Sequence, residues 1–245
     1  MTSGVILREL NGVAELQQAE RFQVEVWGEG ERPDNSDIML ALQHEGALVA
    51  GAFAGDQMLG FLFGFPSATP GVQHSHRLAV SEKARGLGLG ARLKWFQRDW
   101  CLARGIRLVR WTYDPLRAIN AGLNIAVLGA TAREYLPDYY GEMPGINAGL
   151  PSDRVMAVWQ LDAPRVVARA AGQVLPTPFA NLEAVIPADI DALLLADPER
   201  ALTERLQLRA SLQTAFDAGL TILGFDRKRH RYLLGRLAQV ACPVV

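Results

Sequence analysis

At 245 residues, with 49% hydrophobic and 21% charged residues, the chain has enough apolar content to bury one large core or two smaller ones, which excludes disorder as its main state. A formal net charge of −1 provides no basic field for nucleic acid, so the phosphates of any ligand must be met locally. Cys101 and Cys242 are far apart and form no metal-ligand cluster, no stretch approaches ~20 unbroken apolar residues, and the N-terminus lacks a cationic start before an apolar run; the expectation is a reducing, cytoplasmic setting without membrane contact.

Residues 5–7 read as a first strand, and Leu16, Ala19, Phe22 and Val26 recur at helical spacing through 13–27. A Gly/Pro/Asp-rich connection at 28–35 leads to a second helix over 36–44, N-capped by Asn35 or Ser36. Apolar runs at 47–54 and 57–65 are joined by Gly55-Asp56, a tight hairpin signal, and a third strand covers 73–80. Gly60 and Gly64 inside the second run mark a bulge, a close ligand approach or packing beneath a helix. The spacing predicts a helix over 88–104 with Leu89, Leu93, Phe96, Trp100 and Ala103 on its core face, then a strand over 106–113. Asp114-Pro115 opens another helix, which carries Asn120 and Asn124 one turn apart.

Between the third strand and its helix lies Ser81-Glu82-Lys83-Ala84-Arg85-Gly86-Leu87-Gly88-Leu89-Gly90. Glycines at every second position let backbone approach a ligand closely, and a helix N-terminus directs unbonded amides at it; such a turn suits phosphate. It is not a nucleotide P-loop, because Ala91-Arg92 stands where Lys-Ser or Lys-Thr is required. The spacing also departs from the dinucleotide fingerprint.

The run Arg85-x-x-Gly88-x-Gly90, preceded by Leu78-x-Val80, resembles the acyl-CoA loop of the GNAT superfamily of N-acetyltransferases, and the likeness continues over roughly the first 160 residues. The resemblance implies an α/β (α+β) fold: a mixed, mostly antiparallel sheet flanked by helices and splayed at the acyl-CoA cleft. It implies acetyl-CoA or another acyl-CoA as co-substrate, held by Leu78, Ala79, Val80, Arg85, Gly86, Leu87, Gly88, Leu89, Gly90 and Ala91, with Asn120 and Asn124 near the pantetheine or diphosphate. The Val80 amide would polarise the thioester carbonyl, and the 28–35 connection, with Trp27 at its edge, would overhang the acceptor.

Amine attack on a thioester needs a proton acceptor, a polarised carbonyl and an acid for the leaving thiolate. Ile125 falls where the superfamily usually places its tyrosine acid, so Tyr139 and Tyr140 are the candidate replacements, unless they are core or lid residues. His74 and His76, two apart on one strand, share a face, and His76 is the candidate base; Glu25 and Asp114 are alternatives acting through water. Two histidines without a third ligand make no metal site.

The segments 111–116, 120–121, 128–130, 139–141 and 151–154 resemble a branch with a C-terminal extension, some members of which are amino-acid N-acyltransferases using succinyl-CoA. Arg77 or Arg154 would then hold a succinyl or amino-acid carboxylate, with surface ion pairing as the competing account; Asp114 completes the expected substrate set. The boundaries drawn are a catalytic domain at 1–162, a linker at 163–180 and a small α+β extension at 181–245. In the extension, strand 182–186, a helix from 187–189, helix 198–218 and a hairpin of 219–225 with 232–237 would cover the acceptor or pair two subunits as a homodimer. The expected activity is transfer of an acetyl or succinyl group to the amine of a small molecule, an amino acid foremost; the alternative is a non-catalytic acyl-CoA-binding regulatory module.

Overall fold

The computed structural model of the chain describes residues 4–28, 30, 32–141 and 149–237, arranged as two compact units, Met1–Arg110 and Trp111–Val245. Cys242 lies outside the described residues.

The first unit contains β1 (Val5–Glu9), α1 (Gly12–Trp27), α2 (Ser36–His44), β2 (Leu48–Ala54), β3 (Gln57–Pro66), β4 (Val72–Val80), α3 (Leu89–Leu102) and the start of β5 (Leu108–Tyr113). The strand order is β1-β2-β3-β4-β5, antiparallel up to β4, with β5 parallel to β4. Side chains of a strand alternate between faces, which explains the two-sided packing of β3. Phe61 and Phe63 join Leu16, Ala19 and Phe22 of α1 and Met39 of α2 in one buried cluster, each large side chain contributing roughly 1.5–3 kcal/mol. Gly60 and Gly64 turn to the opposite face and meet α3: a Cβ at Gly60 would lie 2.9 Å from Leu93 Cδ1, and one at Gly64 would lie 2.9 Å from Gln97 Nε2. Packing beneath a helix is therefore what those glycines permit.

The core face of α3 differs from expectation. Leu89, Leu93 and Trp100 are buried as predicted, but Phe96 is half-buried while Lys94, Gln97 and Cys101 go inside. The polar members face Gln73 and Ser75 of β4, which supply hydrogen bonds that an apolar-periodicity count does not register.

The second unit contains α4 (Ala118–Ala121), β6 (Thr131–Leu136), β7 (Arg154–Gln160), α5 (Pro164–Ala170), β8 (Leu182–Val185), α6 (Ile190–Ala196), α7 (Pro198–Asp217), β9 (Thr221–Asp226) and β10 (Arg231–Gly235). Its strands run β7-β6-β9-β10-β8, with antiparallel neighbours. Asp189 and Asp197 cap α6 and α7 by accepting backbone N–H bonds. Trp159 is fully buried, edge-on to Trp111, and its indole N–H donates to Leu128 O at 2.9 Å. The segment expected as a linker lies inside this unit and carries α5, which buries Val166 and Ala168. The helix expected from Asp114-Pro115 begins at Ala118 and widens at once into a π-helix over Gly122–Val127, where the Leu128 N–H reaches five residues back to Leu123 O.

Candidate active site

In the first unit β4 and β5 pair only through Val72↔Leu108, Gln73↔Val109 and His74↔Arg110. From Ser75 to Val80, β4 keeps its β3 partner but takes no residue of β5 in register. Along that edge the backbone groups of Leu78 and Val80 face away from β3, where an extended ligand can meet them, while those of Ala79 lie on the β3 side.

The glycine loop follows directly. A single 3₁₀ turn at Glu82–Ala84 is closed by Ala84 N–H to Ser81 O, after which Gly86 and Gly88 take positive φ of 84° and 67°, and Gly88 is the N-cap of α3. The amides of Arg85 and Leu87 donate to Glu82 O and Ala84 O. Those of Gly86, Gly88, Leu89, Gly90 and Ala91 donate to no backbone oxygen among the described residues, and α3 makes its first bond at Arg92 N–H to Gly88 O. Open amides at a helix's positive end fit a diphosphate. Arg85 is well exposed beside them, with Glu82 Oε1 3.0 Å away.

A second group lies where the α1–α2 connection meets β4. The β3–β4 register shifts between Phe63↔Arg77 and Gly64↔Ser75, so the strand bulges at His76 and interrupts the alternation of faces. Neighbouring His76 and Arg77 consequently reach one carboxylate: His76 Nε2 lies 3.2 Å from Asp34 Oδ1, and Arg77 Nε donates to Asp34 Oδ2 at 3.2 Å. Arg77 also donates to Arg32 O and lies 4.9 Å over the Trp27 ring. Buried Gln23 holds the Asp34 backbone, accepting its N–H at 3.1 Å and donating to its carbonyl at 3.2 Å. Burial opposes the Asp34 charge, but His76 and Arg77 outweigh it and hold the carboxyl below its usual range. His74 shares the His76 face, as expected, with ring centroids 6.0 Å apart and Phe65 against both. Burial, then the charges of His76, Arg110 and Lys94, push its pKa down to about 4, so it is neutral at physiological pH.

Behind β4 the polar face of α3 closes a buried network. Lys94 Nζ donates to Ser75 Oγ at 2.9 Å and Gln97 Oε1 at 2.8 Å, while Gln97 Nε2 and Cys101 Sγ both donate to Gln73 Oε1. Burial lowers the Lys94 pKa to about 7 and raises that of Cys101 to about 12, which leaves the thiol protonated and unsuited to nucleophilic work.

In the second unit the Tyr140 hydroxyl lies 3.2 Å from Thr112 Oγ1 on β5, half exposed, with Tyr139 edge-on to its ring. Arg154 is buried with its guanidinium 5.2 Å from that ring and donates to Asp153 O. Asp114 accepts a bidentate pair from Arg205 at 2.8 and 2.7 Å, an arrangement that favours a structural anion over a proton acceptor. Ile125 is fully buried, Asn124 is buried within the π-helix and Asn120 is half-buried, so the two asparagines do not form one solvent-facing patch. Among the described residues no three His, Cys, Asp or Glu side chains come together as metal ligands, and no helix is long and apolar enough to cross a membrane.

Sequence reasoning missed Asp34, Lys94 and the arginines of α7. Asp34 sits in Pro33-Asp34-Asn35, where an acid before a helix reads as capping chemistry; Lys94 differs only as a lone lysine at i, i+3, i+7 with Gln97 and Cys101.

A strand pair that parts after three residues, followed by a glycine turn with open amides at a helix start, is the arrangement that the resemblance to an acyl-CoA loop implies. Residues 10–121 match the family model described as the Acetyltransferase (GNAT) family. Similar solved structures include the ribosomal-protein-S18-alanine N-acetyltransferase of Escherichia coli, at 16% identity and a TM-score of 0.54, covering 65% of this chain and 95% of that one. Another is yncA of Salmonella typhimurium with its cofactor acetyl-CoA, at 18% identity and a TM-score of 0.52, with coverage of 65% and 95%. A third is the phosphinothricin acetyltransferase of Sinorhizobium meliloti in complex with acetyl-CoA, at 17% identity and a TM-score of 0.51, with coverage of 64% and 88%. At these identities the likeness is one of fold. No curated protein matches the chain.

Proposed function

We propose that the protein moves an acetyl or succinyl group from acyl-CoA to the amine of a small molecule, an amino acid foremost, by direct attack on the thioester. The observation that carries the reading is the set of open amides at Gly86 and Gly88–Ala91, which suits the CoA diphosphate. Arg85 adds charge there, the 78–80 backbone takes the pantetheine arm with the Val80 amide on the thioester carbonyl, and Asn120 and Asn124 belong to the same co-substrate set. A cytoplasmic setting goes with this chemistry.

His76 is the proposed base. Asp34 on Nε2 fixes the tautomer that leaves Nδ1 as the acceptor and stabilises the imidazolium once the ammonium proton arrives. The free amine then forms the new C–N bond, the tetrahedral oxyanion collapses, the C–S electrons leave as thiolate, and the second proton of the attacking nitrogen passes to solvent water, leaving a neutral amide. Tyr140, with Tyr139 beside it, is the proposed donor of the proton that thiolate takes up. Trp27, Arg77, Asp114 and Arg154 are the proposed substrate-binding residues; Arg77 is held by Asp34, and Asp114 by Arg205. The catalytic domain is proposed to span 1–162, with 181–245 as its extension.

The test incubates the protein with acetyl-CoA or succinyl-CoA and a panel of amino acids and other amines, following free thiol and product mass. Turnover with an amino acid is expected. Turnover confined to protein amines would overturn the small-molecule assignment.

A further inference from the structure

We infer that Arg209, from the C-terminal extension, is a positioning residue for Tyr140, acting through the buried carboxylate of Asp153. The inference rests on the proposed role of Tyr140 and gives the extension a part in it.

Asp153 is fully buried and is the hub of the arrangement. Arg209 grips it from α7 with two bonds, Nε to Oδ2 at 2.8 Å and Nη2 to Oδ1 at 2.6 Å. The remaining acceptor capacity is filled by the Tyr135 hydroxyl at 2.6 Å and the Asp138 N–H at 2.9 Å. Burial works against the Asp153 charge, yet the bonds from Arg209, Tyr135 and the Asp138 amide hold the carboxyl below its usual range. The anion thus persists where an unpaired one would not.

The Asp138 amide is an informative partner, because Asp138 takes a φ of 45°, a left-handed conformation that favours glycine and that a neighbour must hold in place. Its carboxylate in turn accepts from Ser152 N at 3.0 Å and Ser152 Oγ at 3.2 Å. Ser152 then carries the tyrosines: its Oγ accepts the Tyr140 N–H at 2.9 Å and its carbonyl the Tyr139 N–H at 3.2 Å. A continuous series of bonds therefore runs from α7 to the backbone of Tyr140, whose hydroxyl rests on Thr112. Tyr140 lies in the turn over 137–140, where a side chain lacks the support a helix gives. The bonds from α7 supply that support.

The experiment compares wild type, Arg209→Gln, Arg209→Lys, Tyr140→Phe and the double variant Arg209→Gln/Tyr140→Phe in full-length protein, with amide hydrogen exchange as a readout independent of turnover. Arg209→Gln is expected to speed exchange in peptides covering 137–141 by tenfold or more, leave β9 and β10 peptides unchanged, and lower kcat about tenfold with little change in KM for acyl-CoA. Arg209→Lys is expected to fall between. The double variant should be no slower than Tyr140→Phe alone, since a residue acting through Tyr140 has nothing left to position. Unchanged exchange at 137–141, exchange raised equally across the whole second unit, or losses that multiply in the double variant would each overturn the inference. If Tyr140→Phe keeps full turnover while Arg209→Gln still loosens 137–141, the anchoring stands and the proton-donor reading of Tyr140 falls.

Discussion

Replacing Lys94 with Met tests the buried network behind β4 and has a magnitude that the structure fixes. Moving the lysine pKa from 10.5 to about 7 corresponds, at 1.36 kcal/mol per unit, to about 5 kcal/mol of disfavoured ammonium. Methionine fills a similar volume and forfeits the bonds to Ser75 and Gln97, at roughly 1 kcal/mol each. Gln97 Oε1 still has Ser75 Oγ at 3.3 Å. Lys94→Met is therefore expected to stabilise the protein at pH 7 by on the order of 2–3 kcal/mol. The sign depends on pH. Between pH 7 and 10.5 the unfolded chain holds the lysine proton and the folded chain does not, so wild-type stability rises with pH through this window and is level below it. The variant's advantage should shrink by about 1.4 kcal/mol per pH unit above pH 7 and reverse as pH approaches the unfolded value. Urea unfolding of both proteins from pH 6 to 9.5 measures the difference, in which every titrating group cancels except those that feel the Lys94 charge, His74 and Cys101. A difference that stays level with pH would refute the depressed lysine.

Two further substitutions probe the ligand-facing groups. Gly88→Val places a β-branched residue at a φ of 67°, where no atom would touch its Cβ, so any loss is one of backbone conformation. CoA affinity by calorimetry should fall at least tenfold, while Gly88→Asn, which tolerates that φ, keeps most of it; equal losses would point to crowding. Asp34→Asn removes the charge beside His76 and should lower kcat/KM about 100-fold, within the range of general-base effects. A wild-type kcat/KM in this variant would remove Asp34 from the role of orienting His76.

The first unit was largely legible in the sequence because its signals are local. Gly55-Asp56 marks the β2–β3 hairpin, Asn35 caps α2 by accepting the Ile38 N–H, and the glycines at 86 and 88 take the positive φ their spacing implies. What escaped depends on pairings distant in the chain. The bulge that brings His76 and Arg77 to one carboxylate is a register property of β3 with β4, invisible in either strand alone. The buried polar side of α3 resembles a solvated face until Gln73 and Ser75 are placed opposite it. Arg205 and Arg209 read as ordinary exposed arginines of an amphipathic helix, since their partners lie 91 and 56 residues away. The π-helix at Gly122–Val127 likewise defeats a count based on 3.6 residues per turn, and Asn124 ends inside rather than out.

The two bidentate grips of α7 tie this tail to Asp114 and Asp153. A shortened chain ending near residue 162 would remove the bidentate arginine from Asp114, leaving it only the looser Arg117 at 4.0 Å, would take Arg209 from Asp153, and would open the edge of β6 that Ile222 of β9 now covers. Loss of the tail would thus weaken the partnering of two acids and free a strand to pair with other copies. Each acid is matched to its arginine, so removing both members of a pair should disturb the unit less than removing the arginine alone.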